Sequence, residues 1–358
     1  MTTSTRGRPP CGRGATINPD GRFEKRTNET VDDGWGESQV EPRQVPTVVM
    51  MQQARSIIAR NDSPDVPFAQ SVNPYQGCEH GCVYCYARPS HAYLNLSPGI
   101  DFETRLFAKA NAAPLLRREL AARGYRCRPI ALGANTDPYQ PAERKHRITR
   151  AVLEVLTECR HPFTITTKGA LVERDLDLIA PAAAQGLVRV LVSVPQLDHQ
   201  LARRLEPRAS APARRVDTIR RLAAAGVPTG VLVAPVIPFL NDSELEAVLA
   251  STRAAGATMA ACLVLRLPHE VRSLFDAWLQ EHHPLKRERV LHAIREMRGG
   301  HDNDPRFGSR MTGTGPIADL IARRFELAYR RLGFGEDKTE LRGDLFRPPR
   351  LVQQMELF

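Results

Sequence analysis

The sequence lacks a long apolar run, a secretory signal and an even set of cysteines. No segment approaches the roughly 18 consecutive apolar residues that a membrane-spanning helix needs. The first residues are polar and include arginine, whereas a secretory signal would place an apolar stretch there. We therefore expect a cytoplasmic protein with no membrane partner.

The cysteine content points away from a disulfide framework. The chain has seven cysteines, and an odd number cannot pair completely. Cys78, Cys82 and Cys85 fall within eight residues, and in a reducing compartment such crowding favours a metal site. The scattered cysteines of apolar segments are predicted to be buried small hydrophobic residues: Cys127, Cys159 and Cys262.

The charge balance is strongly basic, with a formal net charge of +10 and a pI near 9.5. Such a surplus fits a polyanionic partner such as nucleic acid, because lysine and arginine side chains that neutralise phosphates release counterions. Arginine-rich composition also arises in GC-rich genomes, and the basic run at residues 144–147 can equally be a solvated helix face. Nucleic acid is therefore a partner hypothesis.

Hydrophobic patterning predicts an α/β fold. Short apolar, β-branched runs alternate with amphipathic segments from an apolar strand near residue 72 to about residue 268. The later strands are predicted at 128–133, 162–167, 187–194, 228–236 and 257–267. Helices are predicted at 103–123, 143–160, 174–185, 212–225 and 243–255. About six such units imply a parallel sheet covered by helices, either curled like a barrel or open and doubly wound.

Composition divides the chain into four parts. The predicted parts are an extended or disordered N-terminal arm at 1–50, the βα core at 51–268, a helical extension at 269–345 and a polar tail at 346–358. Within the extension we predict helices over 270–298 and 316–332.

The loop at residues 73–88 carries the clustered cysteines. Three thiolates at spacings of four and three can bind three irons of a [4Fe–4S] cluster and leave the fourth iron open. A structural zinc ion would need a fourth ligand, which His80 or His91 could supply. His80 lies between two of the cysteines and would struggle to reach the same ion. The loop therefore favours a cluster, with zinc as the alternative.

This loop resembles the signature of the radical SAM superfamily, in which an aromatic residue, here Tyr84, precedes the third cysteine. Together with residues 133–143 and 165–169, it is similar to the branch related to spore photoproduct lyase. The resemblance implies a partial (βα)6 barrel, a [4Fe–4S] cluster on the three cysteines, and S-adenosylmethionine as the second cofactor. It also implies a flavodoxin- or ferredoxin-like one-electron reductant as a partner.

The resemblance further implies cofactor contacts at the ends of the parallel strands, where such folds place their sites. Tyr84 would lie beside the adenine, Thr136 would bind the amino group, Lys168 the carboxylate, and Ser193 the carboxylate or the ribose. Each residue also has a plainer interpretation as turn, solvated loop or strand packing. Glu206 and Arg215 are interpreted as structural or supporting groups.

One departure limits the substrate prediction. In spore photoproduct lyase a cysteine near the end of the second strand returns hydrogen to the substrate radical, and the motif match places Ala134 there. Alanine has no thiol hydrogen to give, and Cys127 precedes the strand at its other end. Radical chemistry is therefore predicted without thymine-dimer repair, on an unknown substrate for which nucleic acid is the favoured class. The alternative is a zinc- or cluster-stabilised nucleic-acid-binding protein without catalysis.

The C-terminal peptide resembles the Gln-Leu-x-Leu-Phe motifs by which bacterial replication and repair proteins bind the sliding clamp. Its residues are Gln354, Met355, Glu356, Leu357 and Phe358. A glutamine anchor and apolar side chains suit a pocket on such a partner. The plainer interpretation is a tail that packs on its own domain.

Overall fold

The computed structural model describes residues 12–24, 45–335 and 340–350. Most of the predicted arm and the clamp-like peptide at 354–358 lie outside these residues. In the part that is described, no helix is long and apolar enough to cross a membrane.

The strands form two sheets. In chain order they are β1 Val48–Gln52, β2 Ile58–Arg60, β3 Gln70–Val72, β4 Tyr75–Gln76, β5 Arg105–Lys109, β6 Ile130–Leu132, β7 Phe163–Thr167, β8 Val188–Ser193, β9 Thr229–Val236 and β10 Met259–Val264. The main sheet has the order β10-β9-β8-β7-β6-β3-β2. Its strands are parallel from β3 to β10, and β2 is antiparallel at the edge. The six parallel strands confirm the predicted α/β class.

Helices connect these strands and extend beyond them. They are α1 Asp101–Thr104, α2 Ala112–Leu120, α3 Glu143–His146, α4 Ile148–Glu158, α5 Leu176–Ala184, α6 His199–Leu205, α7 Pro212–Ala224, α8 Leu245–Ala254, α9 Val271–His282, α10 Arg287–Glu296, α11 Ser309–Thr312 and α12 Pro316–Arg331. Short 3-10 helices cover Arg88–Leu94, Ala170–Asp175 and Asp242–Glu244. Glycine ends α7 as predicted, because Gly226 adopts a φ of 74° that a side chain would disfavour.

The prediction of one helix over 103–123 is wrong in its first half. Arg105–Lys109 is a strand whose residues alternate in burial, and it pairs with β1 and β4 in a second, three-stranded sheet. Tertiary pairing has overridden the local helical pattern. The predicted helix over 143–160 also divides, at Arg147, which has a φ of 52°. The single helix predicted over 270–298 is two helices in the structure, α9 and α10. Helix α6 has no counterpart among the predicted helices.

The main sheet curls into a partial barrel. β10 and β3 are separated by four strands in the sheet order, yet the residues after β10 reach the cysteine loop. Leu265 and Leu267 share a buried cluster with Val83 and Tyr84. An open sheet would keep these two edges apart, so this contact requires curvature.

Helices α9 and α10 pack on the cysteine-loop end of the barrel. Leu274, Phe275 and Trp278 of α9 are fully buried in the cluster that also contains Val83 and Tyr84. The Trp278 indole donates a hydrogen bond of 3.0 Å to the Arg204 carbonyl. The predicted helical extension therefore contributes directly to the core beneath the site.

The N-terminal segment 12–24 lies against the same loop. The Glu103 carboxylate, which is fully buried, accepts hydrogen bonds of 2.9 Å from the backbone N–H groups of Gly14 and Ala15. A Cβ on Gly14 would lie 1.7 Å from the Gly81 carbonyl oxygen, so only glycine permits this approach. The predicted division at residue 50 falls inside β1.

Glu103 also pairs with Arg88, and neither side chain is exposed. The Arg88 guanidinium donates to the carbonyls of Cys82 and Gly99, both at 2.8 Å. This ion pair thus connects the N-terminal segment to the backbone of the cysteine loop.

We expect Leu274→Ala to lower the free energy of unfolding by about 2–5 kcal/mol, because it opens a cavity beneath the cysteine loop. The matched control is Leu285→Ala, since Leu285 is completely exposed, and a change within about 0.5 kcal/mol is expected there. Urea unfolding of both variants measures the difference, and equal losses would contradict the packing described for α9.

Replacing Glu103 by glutamine should lower the free energy of unfolding by about 3–5 kcal/mol, because it leaves the Arg88 charge buried without its partner. Glu158→Gln is the control: it removes a carboxylate from the exposed pair with Arg117 and should cost at most about 1 kcal/mol. The same urea titration tests both, and a Glu103 variant as stable as the control would refute a structural role for the pair.

Candidate active site

The cysteine loop follows β3 and β4 at the carboxyl end of the parallel sheet. Cys78 and Cys82 are buried, Cys85 is half-buried, and all three thiols are free. Burial raises the pKa of Cys78 well above its usual value, and the negative charges of Asp137, Cys82 and Cys85 raise it further. Burial likewise raises the pKa of Cys82 to about 12. Thiolates at Cys78, Cys82 and Cys85 can coexist in this largely buried setting only when a cation binds them, which fits a metal cluster.

The histidines considered as zinc ligands have other partners. His80 Nδ1 lies 3.3 Å from the Asp137 carboxylate, and His91 Nε2 lies 3.0 Å from the Arg105 carbonyl oxygen. Among the described residues, no three histidine, cysteine or acidic side chains converge as the ligands of a single ion would. Thiolates around a cubane each bind a different iron and need not converge so closely.

The Asp137 carboxylate joins the loops that follow three strands. It accepts hydrogen bonds of 2.7 Å from the Thr167 hydroxyl and the Lys168 backbone N–H, at the end of β7. It also faces His80 of the cysteine loop. Burial would raise the pKa of Asp137, but His80 and these hydrogen bonds lower it to about 2. The carboxylate thus stays ionised and fixes the start of the Lys168 loop.

A buried polar cluster brings together Tyr84, Lys168 and Ser193. Lys168 Nζ lies 3.0 Å from Ser193 Oγ and 5.9 Å from the centre of the Tyr84 ring. Glu206 and Arg215, interpreted from the sequence as structural or supporting groups, also belong to this cluster. The Glu206 carboxylate accepts hydrogen bonds from the Tyr84 hydroxyl and from Arg215, and lies 3.9 Å from Lys168 Nζ.

The cluster carries an excess of positive charge. Lys168 and Arg215 are two cations, and Glu206 is the carboxylate between them. Burial raises the pKa of Glu206, but the charges of Arg215 and Lys168 outweigh burial and hold it below its ordinary value. Glu206 therefore stays ionised and balances one of the two cations. The remaining charge suits an anionic group of a ligand, and only Lys168 is partly exposed.

Thr136 has no contact with this cluster among its hydrogen bonds and instead binds the backbone before the cysteine loop. Its hydroxyl is buried and donates a hydrogen bond of 2.8 Å to the Tyr75 carbonyl, just before the cysteine loop. The hydroxyl oxygen can still accept one bond, so its contact with a cofactor amino group stays a prediction. The turn chemistry of residues 135–138 signalled a tight loop, but nothing local indicated that Asp137 would reach His80 across the barrel.

Ala134 lies two residues after β6, at the carboxyl edge of the sheet, and its carbonyl accepts a hydrogen bond from the Tyr86 hydroxyl. Cys127 precedes β6 at the opposite edge, near Gly343 of the C-terminal segment. The thiol of Cys127 therefore lies away from the cysteine loop, and the described chain offers no thiol at the position of Ala134.

Curated relatives and solved structures resemble this chain. An uncharacterised protein of Mycobacterium tuberculosis is 43% identical over 221 residues, which are 61% of this chain and 65% of that protein. Another from Methanocaldococcus jannaschii is 27% identical over 173 residues, which are 48% of this chain and 62% of that protein. The chain thus matches less than two thirds of the length of either relative.

Spore photoproduct lyase complexed with dinucleoside spore photoproduct matches with a TM-score of 0.57 and 14% identity, over 80% of both chains. A mutant of that enzyme with bound AdoMet and the same dinucleoside matches with a TM-score of 0.57 and 15% identity, again over 80% of both chains. At such low identity the likeness shows the fold alone.

The model of the Radical SAM superfamily matches residues 72–251, half of the chain. The match includes the cysteine loop, the Asp137 loop and the polar cluster around Lys168. This chain therefore belongs to the radical SAM superfamily.

Proposed function

We propose that the protein is an enzyme that holds a [4Fe–4S] cluster on Cys78, Cys82 and Cys85 and uses it to cleave S-adenosylmethionine reductively. The observation that carries the proposal is the set of buried, free thiols beside a polar cluster with surplus positive charge. When bound, the cluster supplies one electron to S-adenosylmethionine, which releases methionine and a 5′-deoxyadenosyl radical able to abstract hydrogen. A flavodoxin- or ferredoxin-like protein is the proposed electron donor.

Lys168 is the proposed partner of the cofactor carboxylate. Its ammonium group is partly exposed, whereas Arg215 is buried and paired with Glu206. Ser193 Oγ accepts a hydrogen bond of 3.0 Å from Lys168 Nζ and donates one of 3.3 Å to the Ala234 carbonyl. Its remaining lone pair can accept from a ribose hydroxyl, whereas a bond to the carboxylate would require the hydroxyl to turn away from Ala234. Burial strengthens the attraction, because water screens little charge there.

Tyr84 and Thr136 would position the rest of the cofactor. Glu206 fixes the Tyr84 hydroxyl, so the ring next to Cys85 is held in one orientation beside the proposed adenine position. Thr136 would bind the amino group from the far side of the cysteine loop. The protein's share of the chemistry is binding, orientation and exclusion of water, since the cofactor performs the difficult step.

For the substrate we propose a nucleic acid or a nucleotide-like molecule, supported by the net charge of +10. Ala134 leaves the site without the thiol that the dimer-repair chemistry of spore photoproduct lyase would use. We therefore do not extend the proposal to dimer repair.

Cys82→Ala should abolish both iron binding and 5′-deoxyadenosine formation, because it removes one of the three cluster ligands. Cys127→Ala is the control, since that thiol lies at the opposite edge of the sheet. Iron analysis, visible absorption and product chromatography after anaerobic reconstitution and dithionite reduction measure the outcome. A colourless wild-type protein with one zinc per chain would instead establish the non-catalytic alternative.

Lys168→Met should retain iron but lower the affinity for S-adenosylmethionine about 10- to 100-fold, because it removes a charge-assisted hydrogen bond to the carboxylate. Lys145→Met removes an exposed lysine of α3 and should leave the affinity unchanged. Equilibrium binding to the reconstituted proteins tests this, and equal affinities of the two variants would exclude Lys168 as the carboxylate partner.

A further inference from the structure

Arg266 lies just after β10, at the mouth of the barrel. Its half-buried guanidinium lies 4.8 Å from the centre of the Tyr86 ring. Among the residues that the structure describes, it has no hydrogen bond or ion pair. None of its nitrogens is a buried atom without a partner, so the guanidinium fork is open to an anion from outside the chain.

The backbone around Arg266 is held in place by a second arginine. Arg298 is 1% exposed and donates hydrogen bonds to the carbonyls of Leu265, at 2.7 Å, and of Arg310, at 2.9 Å. It thus ties the end of β10 to α11. Arg266 stands on this fixed backbone, so its position is preorganised before any ligand arrives.

The surroundings of Arg266 carry net positive charge. Arg310 forms a two-point ion pair with Asp65, at 2.7 and 2.5 Å. Asp65 is thus taken by Arg310, and the nearby Asp304 by Arg306, so among the described residues no carboxylate is left to pair with Arg266. Burial is the largest cause that lowers the pKa of Arg266; the charge of Arg310 adds to it, and Tyr86, Asp65 and Cys85 oppose it without cancelling it.

Exposed aromatic rings border the same surface. Tyr86 is 45% exposed, and Phe307 is 58% exposed with the Arg310 guanidinium 4.7 Å from its ring centre. Ring faces of this kind stack on bases, and a guanidinium fork matches the oxygens of a phosphate. Alternating arginine and aromatic side chains are thus suited to a phosphate that is attached to a nucleobase.

We propose that Arg266, Tyr86 and Phe307 form a substrate subsite in which Arg266 binds a phosphate group of a nucleotide or nucleic-acid strand. This inference rests on the proposed function, because the subsite adjoins Cys85 through Tyr86. It is distinct from the carboxylate position at Lys168, since Lys168 follows β7 whereas Arg266 follows β10, at the edge of the sheet.

The test uses the full chain, reconstituted anaerobically, and a fluorescein-labelled single strand of ten thymidines as the probe. Arg266→Gln should weaken its binding about tenfold and reduce the slope of log affinity against log salt by about 0.7, the loss of one phosphate contact to a single strand. Arg266→Lys keeps the charge but not the guanidinium fork, so its affinity for the probe should lie between those of the wild type and Arg266→Gln. Arg128→Gln removes the same charge before β6, at the opposite edge, and should bind like the wild type.

Two competitors identify the group that is bound. Unlabelled strand should displace the probe, and a strand with a neutral methylphosphonate backbone should not. Equal weakening by Arg266→Gln and Arg128→Gln, or displacement by the neutral strand, would overturn the subsite. A wild-type protein that does not bind the probe would overturn it as well.

Two further measurements distinguish failure of the subsite proposal from failure of the proposed function. If Arg266→Gln weakens binding of S-adenosylmethionine and leaves the probe bound, the anion is the cofactor carboxylate and the subsite is refuted. Formation of 5′-deoxyadenosine by the wild type is measured independently of the probe. Its absence would refute the proposed function, whereas its presence with no effect of Arg266→Gln on the probe would refute the subsite alone.

Discussion

The buried carboxylate of Asp137 is the interaction on which the site's geometry depends. It faces His80 of the cysteine loop and binds both the Thr167 hydroxyl and the Lys168 backbone at the end of β7. One ionised group therefore sets the distance between the three thiols and the cationic cluster. A neutral amide would turn an NH2 group toward one of these donors, so both oxygens of a carboxylate are needed at this position.

Charge is unevenly distributed around the carboxyl edge of the sheet. At β7 and β8, Glu206 balances one of two cations, and the surplus is placed at Lys168. At β10, Asp65 balances Arg310, and Arg266 has no polar partner in the part of the chain that the structure describes. The thiols lie between these two regions, so the two surplus charges flank the place where a radical would form. Such preorganised charges suit one anionic group of the cofactor and another of the substrate.

Local pattern was sufficient for much of this fold. The parallel strands β6 to β10 lie within the predicted runs, because β-branched, apolar segments bounded by glycine are read from neighbouring residues alone. The segment 103–123 was misread, because Arg105–Lys109 becomes a strand only through its pairing with β1 and β4. The role of Glu103 is equally hidden in the sequence. Gly14 lies far from it along the chain, and the pair with Arg88 matters only because both side chains are buried.

The sequence alone determined the α/β class, because the alternation of apolar runs and amphipathic segments is a local pattern. It also determined the superfamily, because the spacing of three cysteines along one short loop carries that information. It also singled out Tyr84, Lys168 and Ser193, which the fold brings into one cluster. Only the tertiary structure decided that Glu206 and Arg215 join them, that segment 12–24 supports the cysteine loop, and that Arg266 reaches Tyr86. The reason is physical: curling the sheet brings residues from opposite edges within contact distance, and no local pattern records that closure.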